Sequence, residues 1–138
     1  MSFIRRIREC QVAQPRSNCI GTALFIAGIK REDSVEVCSY ANRQFLQDLK
    51  RLDTPIPGAL VAWVRESTKK RVLVRHMGVI ASVEDNNLLI THRAGRCGLV
   101  IENEQIDTIE TMCGYNHSLV VANPKTYKER YYLPPILR

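Results

Sequence analysis

The stretch 72-VLVRHMGVIASVEDNNLLITHR-93 decides the fold, because two apolar runs flank a strong turn signal. Residues 72–83 and 88–93 are rich in aliphatic and β-branched side chains, which are typical of strands. The four polar residues at 84–87 favour a turn. The stretch therefore predicts an antiparallel β-hairpin with a long first strand.

The chain before this hairpin has the pattern of helices. Residues 19–27 carry apolar side chains at positions i, i+3, i+4 and i+7, which predicts a helix with one buried stripe. Either Ser17 or Asn18 can cap its start, and Gly28 can end it. A second helix is predicted over 39–52, just before a break rich in proline and glycine.

The remaining apolar segments are predicted strands. One covers residues 59–65, and two shorter ones cover 98–101 and 118–122. The ending YYLPPILR is predicted to be a strand edge or a packed tail. Helices come first and an antiparallel meander follows, which indicates an α+β fold. A length of 138 residues fits one domain, residues 1–138.

Composition limits the partners and the compartment. The net charge of +6 could favour binding to nucleic acid, to an anionic polymer or to a membrane surface. The basic residues are dispersed, however, and the aromatic content is only 7%. We therefore expect no nucleic-acid partner. No apolar run approaches the roughly 18 residues of a membrane span, and the N-terminal stretch does not have the pattern of a secretory signal. We expect a cytoplasmic protein, or one exported by dedicated machinery or released by lysis.

The cysteine count argues against a disulfide framework and against a zinc site. Five cysteines are present, an odd number, and no two lie within four residues of each other. Cys113 and His117 have a spacing that could suit a metal, yet Gly114 interrupts a helix there. We expect no metal and no organic cofactor, and a reducing compartment.

Cys19 is the cysteine with the strongest case for reactivity. It falls in the first turn of the predicted helix, where unpaired backbone N–H groups and the helix dipole lower the pKa of a thiol. The same N–H groups can donate to an oxyanion during acyl transfer. A packing role is the alternative for this residue.

His76 and His92 lie on the two strands of the hairpin. His76 shares a face with Gly78, whose missing side chain permits close approach of another group. A loop of odd length centred on Asp85 pairs His92 with Gly78 and makes the two histidines diagonal neighbours. A loop of even length puts them on opposite faces, because a one-residue slip inverts the pattern. The sequence leaves both registers open.

Three segments together resemble the NlpC-type cysteine peptidases, a papain-like family that cleaves peptide bonds in bacterial peptidoglycan. The segment 18-NCIGTALFIAGI-29 is similar to the family's nucleophile helix, D-C-S-G-L-V. The segment 56-IPGALVAWV-64 is similar to its first core strand, P-G-D-L-V-F-F. The segment 76-HMGVIASVEDNNLLITHRAG-95 is similar to its hairpin, H-V-G-I-Y-(turn)-I-H-A. The resemblance covers about residues 17–95.

The resemblance implies a papain-like fold and a catalytic triad of Cys19 as nucleophile, His76 as base and His92 as the third, orienting residue. It also implies hydrolysis of an amide bond in a peptidoglycan stem peptide or a protein substrate through a covalent acyl-enzyme, with no cofactor. Asn18 stands where the family has Asp, and Ala59 replaces an acidic residue. The tyrosine usually found before the nucleophile is missing. These departures leave the substrate open more than the reaction.

Four weaker candidates for substrate contact are Arg93, Arg96, Trp63 and Asn18. The two arginines could bind a substrate carboxylate, whereas solvated loop charges are the alternative. Trp63 is a core residue or a substrate platform. Two other functions stay open: a delivered toxin or effector of the same scaffold that acts on a host protein or lipid, and a non-enzymatic basic binding domain in which the cysteine and histidines only pack.

Overall fold

The computed structural model of the protein describes most of the chain, in seven stretches: residues 2–11, 17–33, 50–66, 72–85, 87–94, 98–112 and 128–133. These residues form an α+β fold. The helices are α1 (Phe3–Cys10), α2 (Cys19–Ile26) and α3 (Ile106–Met112). The strands are β1 (Lys50–Leu52), β2 (Leu60–Glu66), β3 (Val72–Glu84), β4 (Asn87–Arg93), β5 (Val100–Gln105) and β6 (Lys128–Leu133).

The strands form one sheet in the order β1-β6-β2-β3-β4-β5, and each neighbouring pair is antiparallel. β3 and β4 therefore lie inside the sheet, with strands on both sides of each. None of the helices within the described stretches has the length and apolarity that a membrane crossing needs.

The sheet separates two apolar clusters, because successive side chains of a strand point to opposite faces. On the face that we call the α2 face, the buried side chains of α2 pack against Leu60, Ala62, Met77 and Val79. On the opposite face, which we call the α3 face, residues of α3 join a cluster with Val61, Trp63, Ile80 and Ile90. Each functional side chain of the sheet is therefore assigned to one face by its position along the strand.

The hairpin between β3 and β4 combines a short loop with a bulge. The first pair is Glu84 with Asn87, so two residues separate the strands, and Asp85 has a positive φ of 51°. This even loop alone would put the two histidines on opposite faces. The register then shifts between Ile80 and Ser82, which makes Ala81 an extra residue. The bulge restores the pairing of the odd loop, so that His76 and His92 share a face.

Local sequence signals explain both ends of α2. Asn18 is extended, and its side chain accepts a hydrogen bond from the backbone N–H of Gly21 at 2.8 Å. At the other end, Gly28 has a positive φ of 80°, and the N–H of Ile29 donates to the carbonyl of Leu24 at 2.9 Å. This is a Schellman ending, which favours glycine because a side chain strains that conformation.

Some predicted elements differ from the structure. The predicted helix 39–52 is wrong at its end, because Lys50–Leu52 is a strand paired with β6, and a long-range pairing outweighs local helix propensity. Residues 39–49, 118–122 and 134–138 lie outside the described stretches. β6 pairs with both β1 and β2, so it is not an edge strand. Helices α1 and α3 are additional to the predicted elements.

Candidate functional site

Two histidines form a buried pair on the α3 face. His76 Nε2 and His92 Nδ1 lie 2.9 Å apart, and the two rings are nearly perpendicular, at 84°. The second ring nitrogen of His92, Nε2, lies 3.0 Å from a carboxylate oxygen of Glu104 on β5. His76 and His92 are each 2% exposed, whereas the Glu104 side chain is 18% exposed. The three groups thus form a hydrogen-bonded chain from the interior toward the surface.

Burial disfavours the charged form of both imidazoles. Desolvation, with the neighbouring His92 as a second cause, lowers the pKa of His76 to about 3. Desolvation also lowers the pKa of His92, and the Glu104 carboxylate opposes that shift. A neutral imidazole has one nitrogen that donates and one that accepts, so the pair can form a directed hydrogen bond.

Glu104 is not among the site residues predicted from the sequence. The strand predicted over 98–101 ended too early, whereas β5 continues to Gln105 and pairs Glu104 with Ile90. That pairing places the Glu104 carboxylate on the α3 face. A longer predicted strand would have put this acidic side chain beside the hairpin, but the glycines at 95 and 98 allow loops of different lengths and so do not fix the register of β5.

Gly78 leaves room for the histidine pair to pack. A Cβ atom at this position would lie 2.5 Å from Ile90 Cγ2 and 3.2 Å from His92 Cβ. We expect Gly78→Ala to lower the free energy of unfolding by about 1–3 kcal/mol, because overpacking forces neighbouring side chains and backbone to move. Urea unfolding measures this loss. A Gly78→Ala variant as stable as the wild-type protein would contradict this close packing of Gly78 against Ile90 and His92.

Cys19 lies on the other side of the sheet from this pair. It is the first residue of α2, is half-buried, and packs against the cluster of the α2 face. His76 alternates with Met77, which belongs to that cluster, and so points to the α3 face. The structure therefore brings His76 and His92 together and does not bring Cys19 to them.

The structure gives Arg93 a role different from substrate contact. Arg93 is 2% exposed, and its guanidinium donates to Asp33 at 2.7 Å and to Thr22 at 2.7 Å. It also donates to the backbone carbonyls of Cys10 and Gly98. With these donors engaged and buried, Arg93 joins α1, α2 and β4 and is not available to a substrate carboxylate.

The other candidates for substrate contact have different positions. Trp63 is a core residue at 1% exposure, with its ring centroid 5.2 Å from that of His76, and so is not an exposed platform. Asn18 is the N-cap of α2. Arg96, Cys113 and His117 lie outside the described stretches. Among the described residues, no group of three or more His, Cys, Asp or Glu side chains is arranged to hold a metal ion.

Comparison of the chain with protein-family models, with curated proteins and with solved structures found no match.

Proposed function

We propose that the protein is a cysteine-dependent hydrolase of amide bonds, with peptidoglycan stem peptides as its substrate class. The observation that carries the proposal is the position of Cys19, half-buried at the first residue of α2 behind an Asn18 cap. The backbone N–H groups of a first turn stabilise a thiolate. Cys10 is different, because burial, with Asp33 as a second cause, raises the pKa of its thiol.

The proposed reaction is nucleophilic acyl transfer. The Cys19 thiolate attacks the amide carbonyl, and the Cys19 backbone N–H donates to the oxyanion of the tetrahedral intermediate. The C–N bond then breaks, the amine leaves with the proton that the Cys19 thiol had given up, and an acyl-enzyme remains. Water attacks this thioester, and the carboxylic acid product leaves Cys19 as a thiol again.

The resemblance assigns the proton transfers to His76, with His92 as the orienting residue. The hydrogen bond of 2.9 Å between the two rings agrees with the orienting role of His92. The assignment of His76 as base needs its own test, because the sheet lies between this residue and Cys19.

The experiment measures how the rate of Cys19 alkylation by iodoacetamide depends on pH, in the wild-type protein and in His76→Ala. We expect a wild-type midpoint below about 8.5, the usual pKa of a cysteine, with no labelling at this site in Cys19→Ala. A direct ion pair with His76 requires that the midpoint rise in His76→Ala. An unchanged midpoint removes His76 as the base, and a wild-type midpoint at 8.5 or above overturns the proposal of an activated thiol.

Hydrolysis itself is tested by incubating the protein with purified peptidoglycan and separating the released fragments. We expect wild-type protein to release peptides and Cys19→Ala to release none. Equal release by the two proteins would contradict a Cys19 nucleophile. If the peptidoglycan is left intact while the masses of host proteins or lipids change, the protein acts instead as an effector on host molecules.

A second candidate function, a non-enzymatic basic binding domain, is favoured by one observation. Both histidines are 2% exposed on the face away from Cys19, so they can act as core residues alone. With a net charge of +6, such a domain would bind an anionic polymer with an affinity that falls steeply as salt rises. Salt-independent or absent binding would exclude it.

A further inference from the structure

The hydrogen-bonded chain from Glu104 to His76 restricts which ring nitrogen of each histidine carries a proton. Two distances define it: Glu104 Oε1 to His92 Nε2 at 3.0 Å, and His92 Nδ1 to His76 Nε2 at 2.9 Å. Both are within the range of N–H hydrogen bonds. Because the two histidines are almost completely buried, solvent cannot replace these partners.

The direction of the chain follows from the chemistry of its outer end. A carboxylate only accepts hydrogen bonds, so His92 Nε2 must carry a hydrogen to donate to Glu104. A neutral imidazole has one N–H, which leaves His92 Nδ1 as an acceptor. His76 Nε2 must then be the donor to His92, and the lone pair of His76 lies on Nδ1.

The opposite direction is unfavourable. It would place the lone pair of His92 Nε2 against the carboxylate of Glu104 at 3.0 Å, with two acceptors facing each other. It would also remove a charge-assisted hydrogen bond, which is roughly twice as strong as a neutral one. A single carboxylate therefore decides the tautomer of two rings.

We infer that Glu104 is a positioning residue that fixes both His92 and His76 as Nε2–H tautomers. The inference about the tautomers stands on the two distances together with neutral rings, whose charged forms burial disfavours. Its meaning for catalysis rests on the proposed function: if His76 is the base, then Nδ1 is the atom that takes the proton. Glu104 would act through His92, without contacting a substrate.

The test is a long-range ¹H–¹⁵N correlation spectrum of protein labelled with ¹⁵N at histidine, recorded at neutral pH. We expect His76 and His92 of the wild-type protein to show the pattern of Nε2–H tautomers. In Glu104→Leu the acceptor is lost, so we expect His92 to shift toward the Nδ1–H form. In Glu104→Gln the amide oxygen can still accept, so we expect the wild-type pattern to be retained in large part.

Glu102→Gln is the matched control. Glu102 lies on the same strand, and its carboxylate accepts from Gln11 instead of a histidine. We expect this variant to leave both tautomers unchanged. Either an Nδ1–H form of His76 in the wild-type protein, or unchanged tautomers in a folded Glu104→Leu, overturns the inference.

The wild-type spectrum decides the direction of the chain even if Glu104→Leu does not fold. It also separates this inference from the proposed function, because the spectrum needs no substrate. An inactive protein with Nε2–H tautomers would refute the hydrolase and keep the role of Glu104. An active protein with Nδ1–H tautomers would do the reverse.

Discussion

Asp33→Ala is expected to lower the free energy of unfolding by about 3–5 kcal/mol, because it leaves the Arg93 guanidinium buried without its counter-charge. Asp33 Oδ2 lies 2.7 Å from Arg93 Nη2, and the two side chains are only 5% and 3% exposed. The other oxygen, Oδ1, accepts from the hydroxyls of Ser17 and Thr22. The substitution thus removes one charge and the acceptor that the two hydroxyls share.

Such a loss is large for a small domain, whose total stability is typically 5–15 kcal/mol. Urea unfolding should show a much lower midpoint for Asp33→Ala with a similar slope, since the surface exposed on unfolding changes little. Glu9→Ala is the control, because the Arg5–Glu9 pair spans 3.9 Å between side chains that are 73% and 47% exposed. We expect that variant to lose less than about 1 kcal/mol. Equal losses in the two variants would contradict the importance of burial.

The elements that the sequence predicted best are those fixed by local chemistry. The helix predicted over 19–27 appears as α2, between an Asn18 cap and a Gly28 ending, both of which are local signals. The long strand predicted over 72–83 appears as β3 for a similar reason, since its apolar run and the following turn signal lie within one continuous segment. In each case the sequence pattern and the element that it predicts both depend on residues that are close together in the sequence.

The relation between the two histidines could not be predicted in the same way. The polar turn allows loops of either parity, and the bulge at Ala81 carries no residue type that announces it. Its position depends on how β4 packs between β3 and β5, which is a long-range property of the sheet. The sequence could therefore state the two registers but not choose between them.

The buried ion pair between Asp33 and Arg93 also could not be predicted from the sequence. Asp33 and Arg93 are 60 positions apart, and neither has a local pattern that indicates a partner. Charged residues are usually solvated, so Arg93 suggested a surface contact with a substrate. Its actual contacts exist because α1, α2 and β4 converge at one point on the α2 face.

The position of Cys19 relative to the histidines depends on the same alternation along β3. A match to three motifs in the right order fixes which elements are near each other, but it does not fix which side of the sheet a helix covers. Here α2 packs against Met77 and Val79, the residues that alternate with His76. A pattern search is insensitive to this choice, because both faces of β3 are lined by apolar residues.

The second large effect is expected from acid. The free energy of unfolding should fall as the pH decreases from about 6.5 toward about 3, the window between the ordinary pKa of histidine and that of His76 in the folded protein. In this window the unfolded chain binds a proton at residue 76 and the folded chain does not. Stability therefore rises with pH and is lost on acidification, since protons favour the state that binds them.

The size of the acid effect follows from the same difference. Each pH unit within the window contributes about 1.4 kcal/mol for each histidine that stays neutral in the folded state, or roughly 5 kcal/mol from His76 over the whole window. His92, whose pKa is lowered as well, adds to this loss. The effect approaches the total stability of a small domain, so we expect unfolding as the pH falls toward about 3.

The contribution of His76 can be isolated by comparing the wild-type protein with His76→Gln in urea at a series of pH values. Glutamine keeps a polar group beside His92 but does not titrate, so the variant should be less stable at neutral pH and lose less stability on acidification. Carboxylates titrate in both proteins, and their contribution cancels in the difference. Parallel stability curves for the two proteins would mean that His76 takes up its proton equally in both states. That result would contradict the burial from which the neutral histidine pair is derived, because a group that titrates normally cannot be held away from water.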